Sequence, residues 1–215
     1  MRPPELDAPS RACLAQFAAL QTTKPGATEP SRAPGFCRKL SAWLDGYFEA
    51  RLASVRPGST AALLAVGGYG RREITLASDI DILLLCPDEM PQAEELAALL
   101  FHPLWDAKLE VGHAVRSLDH CLLWATEDPS VFASLLDWRY VAGRETLART
   151  FSEAFSNLAR HQGRNFLNWI NAQRRERAQK YGDAGQVLEP DCKNGLGGLR
   201  DYHICHWATL VGDSI

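Results

Sequence analysis

The sequence predicts an α+β fold: a small mixed β-sheet core with flanking helices, followed by a helical region. Three observations carry that prediction. Between Ala61 and Ser117 the chain reads as strand, turn, strand, helix, strand. One of these strands, "IDILLLC", is apolar apart from a single aspartate, as a buried strand is. Beyond Asp128 the apolar residues recur at helical spacing instead.

The elements follow in order. Residues 1–34 are rich in Pro, Ala, Ser and Thr and read as a poorly ordered lead-in with room for one short helix. From Gly35 to about Ser54, Phe36, Leu40, Trp43, Leu44, Tyr47, Phe48 and Leu52 fall on one helical face, and "RPGS" breaks that helix. "TAALLAVGG" gives a strand from about Ala61 to Val66, and "IDILLLC" a second that Pro87 ends. "PQAEELAALLFHPLWDAK" is a helix with Pro91 near its first turn, and "LEVGHAVRS" is a third strand. Residues 35–127 thus make up the core and residues 128–215 the helical region.

That region opens on "DPSVFASLLDWRYVAG", with Asp128 as cap and Pro129 at the first helical position. Leu147, Phe151, Phe155 and Leu158 carry the next helix, bounded by "HQG". "RNFLNWINAQRRERAQKYG" is a long helix with a basic second half, "DAGQVLEPDCKNGLGG" a loop, and "LRDYHICHWATLV" a last helix.

Composition narrows the function. A chain of 215 residues fits one large domain or a domain with an appendage. The formal net charge of -3 argues against binding a nucleic-acid backbone. No apolar stretch approaches the roughly 20 residues that span a bilayer, and the N-terminus has no signal-peptide core. The six cysteines form no C-x-x-C pair, which points to reduced thiols and a cytoplasmic location.

The chemistry lies in "AVGGYGRREITLASDIDILLLC". Asp79 and Asp81 alternate with Ile80 and Ile82, so in a strand the two acids share one face. A carboxylate in such a run costs several kcal/mol unless something neutralises it. Mg²⁺ resolves the repulsion, because it takes one or two carboxylates together with substrate phosphates and water. Gly67 and Gly68 supply the place for those phosphates: they follow the first strand, and without side chains they let phosphate oxygens reach backbone N–H groups. "GGYGRRE" is neither a G-x-x-x-x-G-K-[ST] loop nor a full G-x-G-x-x-G. A calcium loop is polar and carries a later glutamate, and the chain is short for a glycosidase barrel. A double glycine, a short spacer and D-x-D inside an apolar strand together indicate metal-dependent nucleotidyl chemistry.

With these residues in place, "VGGYGRREITLASDIDILLL" resembles the signature of the DNA polymerase β-type nucleotidyltransferases. More narrowly it is similar to the bacterial PII uridylyltransferase/uridylyl-removing enzymes, and the likeness continues through "LWDAKLEVGHAVRSLDHC" and "LEPDCKNGLGGLRDYHICHWA". The resemblance implies a small mixed-sheet nucleotidyltransferase core. It also implies transfer of UMP from UTP to a tyrosine of the PII nitrogen-regulatory protein, with release of pyrophosphate and with Mg²⁺ as cofactor. It implies that Asp79 and Asp81 hold metal, one ion activating the tyrosine oxygen and one steadying the triphosphate, and that Gly67 and Gly68 hold the triphosphate.

The same resemblance implies a third carboxylate on a later strand; Glu110 is the nearest candidate, with Asp106 behind it. Arg71 and Arg72 follow the glycines, where they can balance phosphate charge, and Ser78 either caps the start of the strand or touches a phosphate. Arg72 stands where relatives carry glycine, and Leu196 where they often carry proline. His113 reads as a packing residue. In "GLGGLRD" the glycines permit a turn, followed either by a local pair between Arg200 and Asp201 or by Lys193 or Arg200 facing the nucleotide or the acceptor. Cys192, His203, Cys205 and His206 fit no standard zinc spacing. The family continues into a phosphohydrolase domain and ACT domains, so the chain reads as an N-terminal fragment or a shortened member. The alternatives are a protein nucleotidyltransferase with another donor or acceptor, and a catalytically silent nucleotide-binding fragment.

Overall fold

The computed structural model describes residues 8, 10–12, 14–16, 33–88, 90–182, 188–189 and 191–212. The lead-in expected over residues 1–34 lies for the most part outside the described residues. The part described there is helical, with Ser10 and Leu14 buried. The expected loop over residues 183–198 is described only in part.

The chain folds as two compact units, the first formed by residues up to Cys121 together with Asp137–Phe151, the second by Leu122–Leu136 and Ser152 onward. The first unit is the α+β part. Helix α1 spans Ala33–Val55, strand β1 Ala62–Ala65, the single turn α2 Gly67–Gly70 and strand β2 Ile80–Cys86. Helix α3 follows over Ala93–Asp106 and strand β3 over Val111–Ser117. Helices α4, Leu118–Glu127, and α5, Pro129–Leu136, which fall largely in the second unit, come next in the chain, and strand β4, Arg139–Gly143, returns to the first.

The sheet has the order β3-β2-β1-β4. β1 is antiparallel to both β2 and β4, whereas β2 and β3 run parallel, so the sheet is mixed as expected. Ile80, Ile82, Leu84 and Cys86 from β2 and Leu63 and Ala65 from β1 enter one core with Leu40, Leu44, Phe48, Leu100 and Phe101 of α1 and α3. Burying each of these large apolar side chains contributes about 1.5–3 kcal/mol. Two polar ties lock α1 to α3 across that core: Tyr47 Oη donates to the Leu100 carbonyl at 2.8 Å, and the buried Arg51 donates Nε to the Leu99 carbonyl at 3.0 Å. With the even-numbered residues of β2 committed to this core, Asp81 faces the other way.

Two expectations are corrected. The stretch from Asp128, read as helical, contains β4, because "RYVAG" pairs with β1. Gly143 closes this strand with φ 95 and sits so close to the Ala61 carbonyl that a Cβ has no room. Second, "HQG" does not separate two helices. One helix of 37 residues, α6, runs over Glu145–Tyr181. Glycine inside a helix costs about 1 kcal/mol, but Phe155, Ala159, Gly163, Phe166 and Ile170 form one continuous buried stripe, and packing along it offsets that cost.

The second unit is helical. It packs Phe132 of α5 against Phe155 and Phe166 of α6, with ring centroids 5.3 and 4.8 Å apart. Phe166 also meets Trp207 of helix α7, Leu199–Gly212. The loop before α7 spends its backbone on itself: the N–H groups of Leu199 and Arg200 donate to the carbonyls of Cys192 and Lys193. Asp201 accepts the Gly197 N–H at 2.9 Å and pairs with Arg177 at 2.7 Å. Asp201 is thus tied to α6, and Arg200 lies over the Trp207 ring.

Candidate active site

The glycine turn and Asp81 meet at the end of β1. The chain leaves β1 at Val66, whose N–H donates to the Asp81 carbonyl at 3.1 Å, and enters α2 at Gly67. Gly67 has φ 55, a left-handed conformation in which glycine is free of strain. A Cβ at Gly67 would lie 3.2 Å from Asp81 Oδ2. On the opposite side, Asp81 is paired with Gly112 in the parallel register, and a Cβ there would lie 2.5 Å from Asp81 Oδ1. The half-buried Asp81 carboxylate therefore occupies a slot between two residues that have no side chain. The sequence reading missed Gly112, whose signal is a lone glycine inside a strand pattern, a mark of close approach.

Asp79 immediately precedes β2 and is exposed. Glu110 immediately precedes β3 and is also exposed; its carbonyl accepts the Ile80 N–H at 2.8 Å. The register that pairs Ile80 with Val111 sets Asp79 beside Glu110 at the starts of two parallel strands. Among the described residues, no three His, Cys, Asp or Glu side chains gather as a metal site, so Glu110 is not assembled with Asp79 and Asp81 into a preformed triad. Ser78 is half-buried, and its hydroxyl accepts the Thr75 N–H at 3.0 Å and contacts Thr75 Oγ1, shaping the turn that leads to Asp79. His113 is a packing residue against the rings of Phe101 and Trp105.

Gly68 has open space: its Cβ would meet nothing nearer than Arg71 Nη2 at 4.0 Å. Val66, at the N-cap of α2, provides no side-chain hydrogen bond to the first-turn N–H groups. Arg71 is engaged. Its Nε donates to Glu73 at 2.7 Å, and its Nη1 donates to the fully buried carboxylate of Asp137. Gly70 packs directly on the Asp137 carbonyl. Tyr69 is buried, and its hydroxyl donates to Asp45 Oδ1 at 2.7 Å. Burial first, and the Asp45 carboxylate second, push the Tyr69 phenol well above its ordinary value, so it stays a donor. Burial likewise raises the Cys86 and Cys121 thiols to about 11 and about 12, which removes both as nucleophiles.

The donor set suits a hard divalent cation. Carboxylate oxygens are the ligands Mg²⁺ prefers, and Gly67 and Gly112, which flank the Asp81 carboxylate, place no side chain against it. Among the described residues no helix is long and apolar enough to cross a membrane.

The chain is similar to known proteins. A family model described as GlnD PII-uridylyltransferase matches residues 165–212. A bifunctional uridylyltransferase/uridylyl-removing enzyme of Cereibacter sphaeroides is 36% identical over 190 residues, 83% of this chain and 20% of that protein. Enzymes of the same name from Ralstonia nicotianae and Rhodospirillum rubrum are 42% and 38% identical over 152 residues, 70% of this chain and 17% and 16% of theirs. By these relatives the chain is of the nucleotidyltransferase class. More narrowly, it belongs to the PII-uridylyltransferase family, as a segment spanning no more than 20% of the curated relatives it matches.

Proposed function

We propose that this chain carries the uridylyl-transfer site: it moves UMP from UTP to a tyrosine of the PII signalling protein and releases pyrophosphate. The observation that supports this most is the Asp81 carboxylate, held between Gly67 and Gly112 directly beside the glycine turn. In the transfer, a bond forms between the tyrosine oxygen and the α-phosphorus, the α–β phosphoanhydride bond breaks, and the phenolic proton passes to solvent.

The chain's residues divide the work. Asp79 and Asp81 hold Mg²⁺, and Glu110, beside Asp79 at the start of β3, is the acid nearest to join them. When bound, Mg²⁺ supplies positive charge against the triphosphate and favours ionisation of the attacking hydroxyl. Gly67 and Gly68 admit the phosphate oxygens to the backbone N–H groups of the turn. Ser78 fixes the approach to Asp79 through Thr75, and Arg71 serves the nucleotide by anchoring the turn to Asp137. UTP and PII are the partners, and the cytoplasm is the compartment where they meet.

The test is incubation of the chain with labelled UTP, Mg²⁺ and PII. Label on PII that requires Mg²⁺ supports the reading. Label on PII from ATP but not from UTP redirects it to another donor, and UTP binding without transfer identifies a silent nucleotide-binding segment.

A further inference from the structure

Asp45 lies on α1 and Arg139 at the start of β4, so neither belongs to the glycine turn. Yet they form a bidentate pair, Arg139 Nη1 and Nη2 each 2.9 Å from an Asp45 oxygen. Both also grip Tyr69, the residue that follows Gly68. Asp45 Oδ1 accepts the Tyr69 hydroxyl at 2.7 Å, while Arg139 Nη2 reaches the Tyr69 carbonyl at 3.5 Å and its guanidinium lies 5.2 Å from the Tyr69 ring centroid. The pair is largely screened from water, with side chains 19 and 15% exposed. A bidentate pair of this kind fixes direction as well as distance. Tyr69 is therefore held at its hydroxyl, its ring and its carbonyl, and the backbone one and two residues earlier is Gly68 and Gly67.

We propose that Asp45 and Arg139 are positioning residues for nucleotide binding: acting through Tyr69, they set where the Gly67–Gly68 turn stands relative to Asp81. This rests on the reading that the turn takes the phosphates of UTP. The side chains themselves touch no nucleotide. They add side-chain ties to the backbone hydrogen bonds of the four-residue turn, so that binding energy is not spent on ordering it.

The experiment measures UTP affinity in the presence of Mg²⁺ by calorimetry on the full chain, alongside thermal melts. Tyr69→Phe keeps the ring and removes only the donated hydrogen bond; it should raise Kd about threefold to tenfold, the value of one lost hydrogen bond. Arg139→Lys keeps the charge but loses the fork and should do the same. Combining Tyr69→Phe with Asp45→Asn should cost no more than the larger single effect, because the two act as one device. Leu100→Ala, in the same core, should lower the melting temperature and leave Kd unchanged. If wild type binds no UTP, the nucleotide reading falls and this proposal falls with it. If Asp81→Asn abolishes binding while Tyr69→Phe and Arg139→Lys bind like wild type, the positioning proposal alone is overturned. A Kd that rises in Leu100→Ala as much as in Tyr69→Phe overturns it too, since general destabilisation then suffices.

Discussion

The Asp81 carboxylate stands in space that residue 112 would fill were it not glycine: a Cβ on Gly112 comes within 2.5 Å of Asp81 Oδ1. Parallel pairing of β2 and β3 sets these two residues opposite each other. The Gly112→Ala substitution must therefore rotate the carboxylate or part the strands. We expect a loss of Mg²⁺-dependent UTP binding of tenfold or more, on the order of 1.4 kcal/mol, with a destabilisation of about 1–3 kcal/mol from overpacking. Calorimetric titration and a melt check both. Unchanged binding would show that the orientation of Asp81 is immaterial to the nucleotide.

Arg72 has φ 60, a left-handed conformation that costs a residue with a Cβ about 1–2 kcal/mol. Its compensation is slight: Nη2 lies 3.9 Å from Asp45 Oδ2, and the side chain is half-exposed. Arg72→Gly removes the strain and adds chain entropy to the unfolded state, a cost of about 0.5–1 kcal/mol. The balance favours the variant by about 0.5–1 kcal/mol, a rise in melting temperature of about 1–4 °C. A lower melting temperature would mean that the contact with Asp45 outweighs the strain.

The glycine turn after β1 and the placing of Asp81 opposite the core isoleucines were legible because their signals are local: a strand, two glycines and an acid alternating with Ile80 and Ile82. The slot that accommodates Asp81 was not, since its far wall is Gly112 and the register of β2 on β3 decides which residue stands there. β4 escaped notice for a related reason. "RYVAG" follows a well-capped helical stretch, and it becomes a strand only by pairing with β1. Asp45 and Arg139 are 94 residues apart, and no local pattern announces that each completes the other. Helix α6 was divided at Gly163 because a lone glycine reads as a stop until the buried stripe on both sides of it is considered.

Asp201 ties α7 to α6. Burial opposes its charged form, but the Gly197 N–H and the Arg177 guanidinium outweigh that and hold the carboxyl below its ordinary value. A carboxyl depressed in the folded chain adds stability that is fully present above its unfolded pKa of about 3.9 and is lost as pH falls through the folded value. Asp201→Asn should therefore cost about 1–2 kcal/mol at neutral pH. That gap to wild type should persist down to about pH 4 and close below it. Denaturant titrations at several pH values, read by tryptophan fluorescence, measure it. A gap that stays constant into strong acid would assign the loss to shape rather than charge.

Asp79→Asn separates chemistry from structure. Asp79 is exposed and sits one residue ahead of β2, while Ile80 and Ile82 make the core contacts on either side of Asp81. Exchanging its carboxylate for an amide therefore removes no packing. It also removes a negative charge two residues from Asp81, so without Mg²⁺ the variant should melt at or slightly above the wild-type temperature. Transfer should behave differently. An amide keeps the shape but lacks the charge that binds a hard cation, and we expect UMP transfer to PII to fall by at least a hundredfold, on the order of 2.7 kcal/mol. Excess Mg²⁺ should restore only part of it. The two measurements belong together, a transfer assay and a metal-free melt on the same preparation. Retained transfer would remove Asp79 from the metal site. Lost transfer with a collapsed melt would make Asp79 a structural residue at the head of β2, leaving Asp81 as the sole acid of the pair with a chemical role.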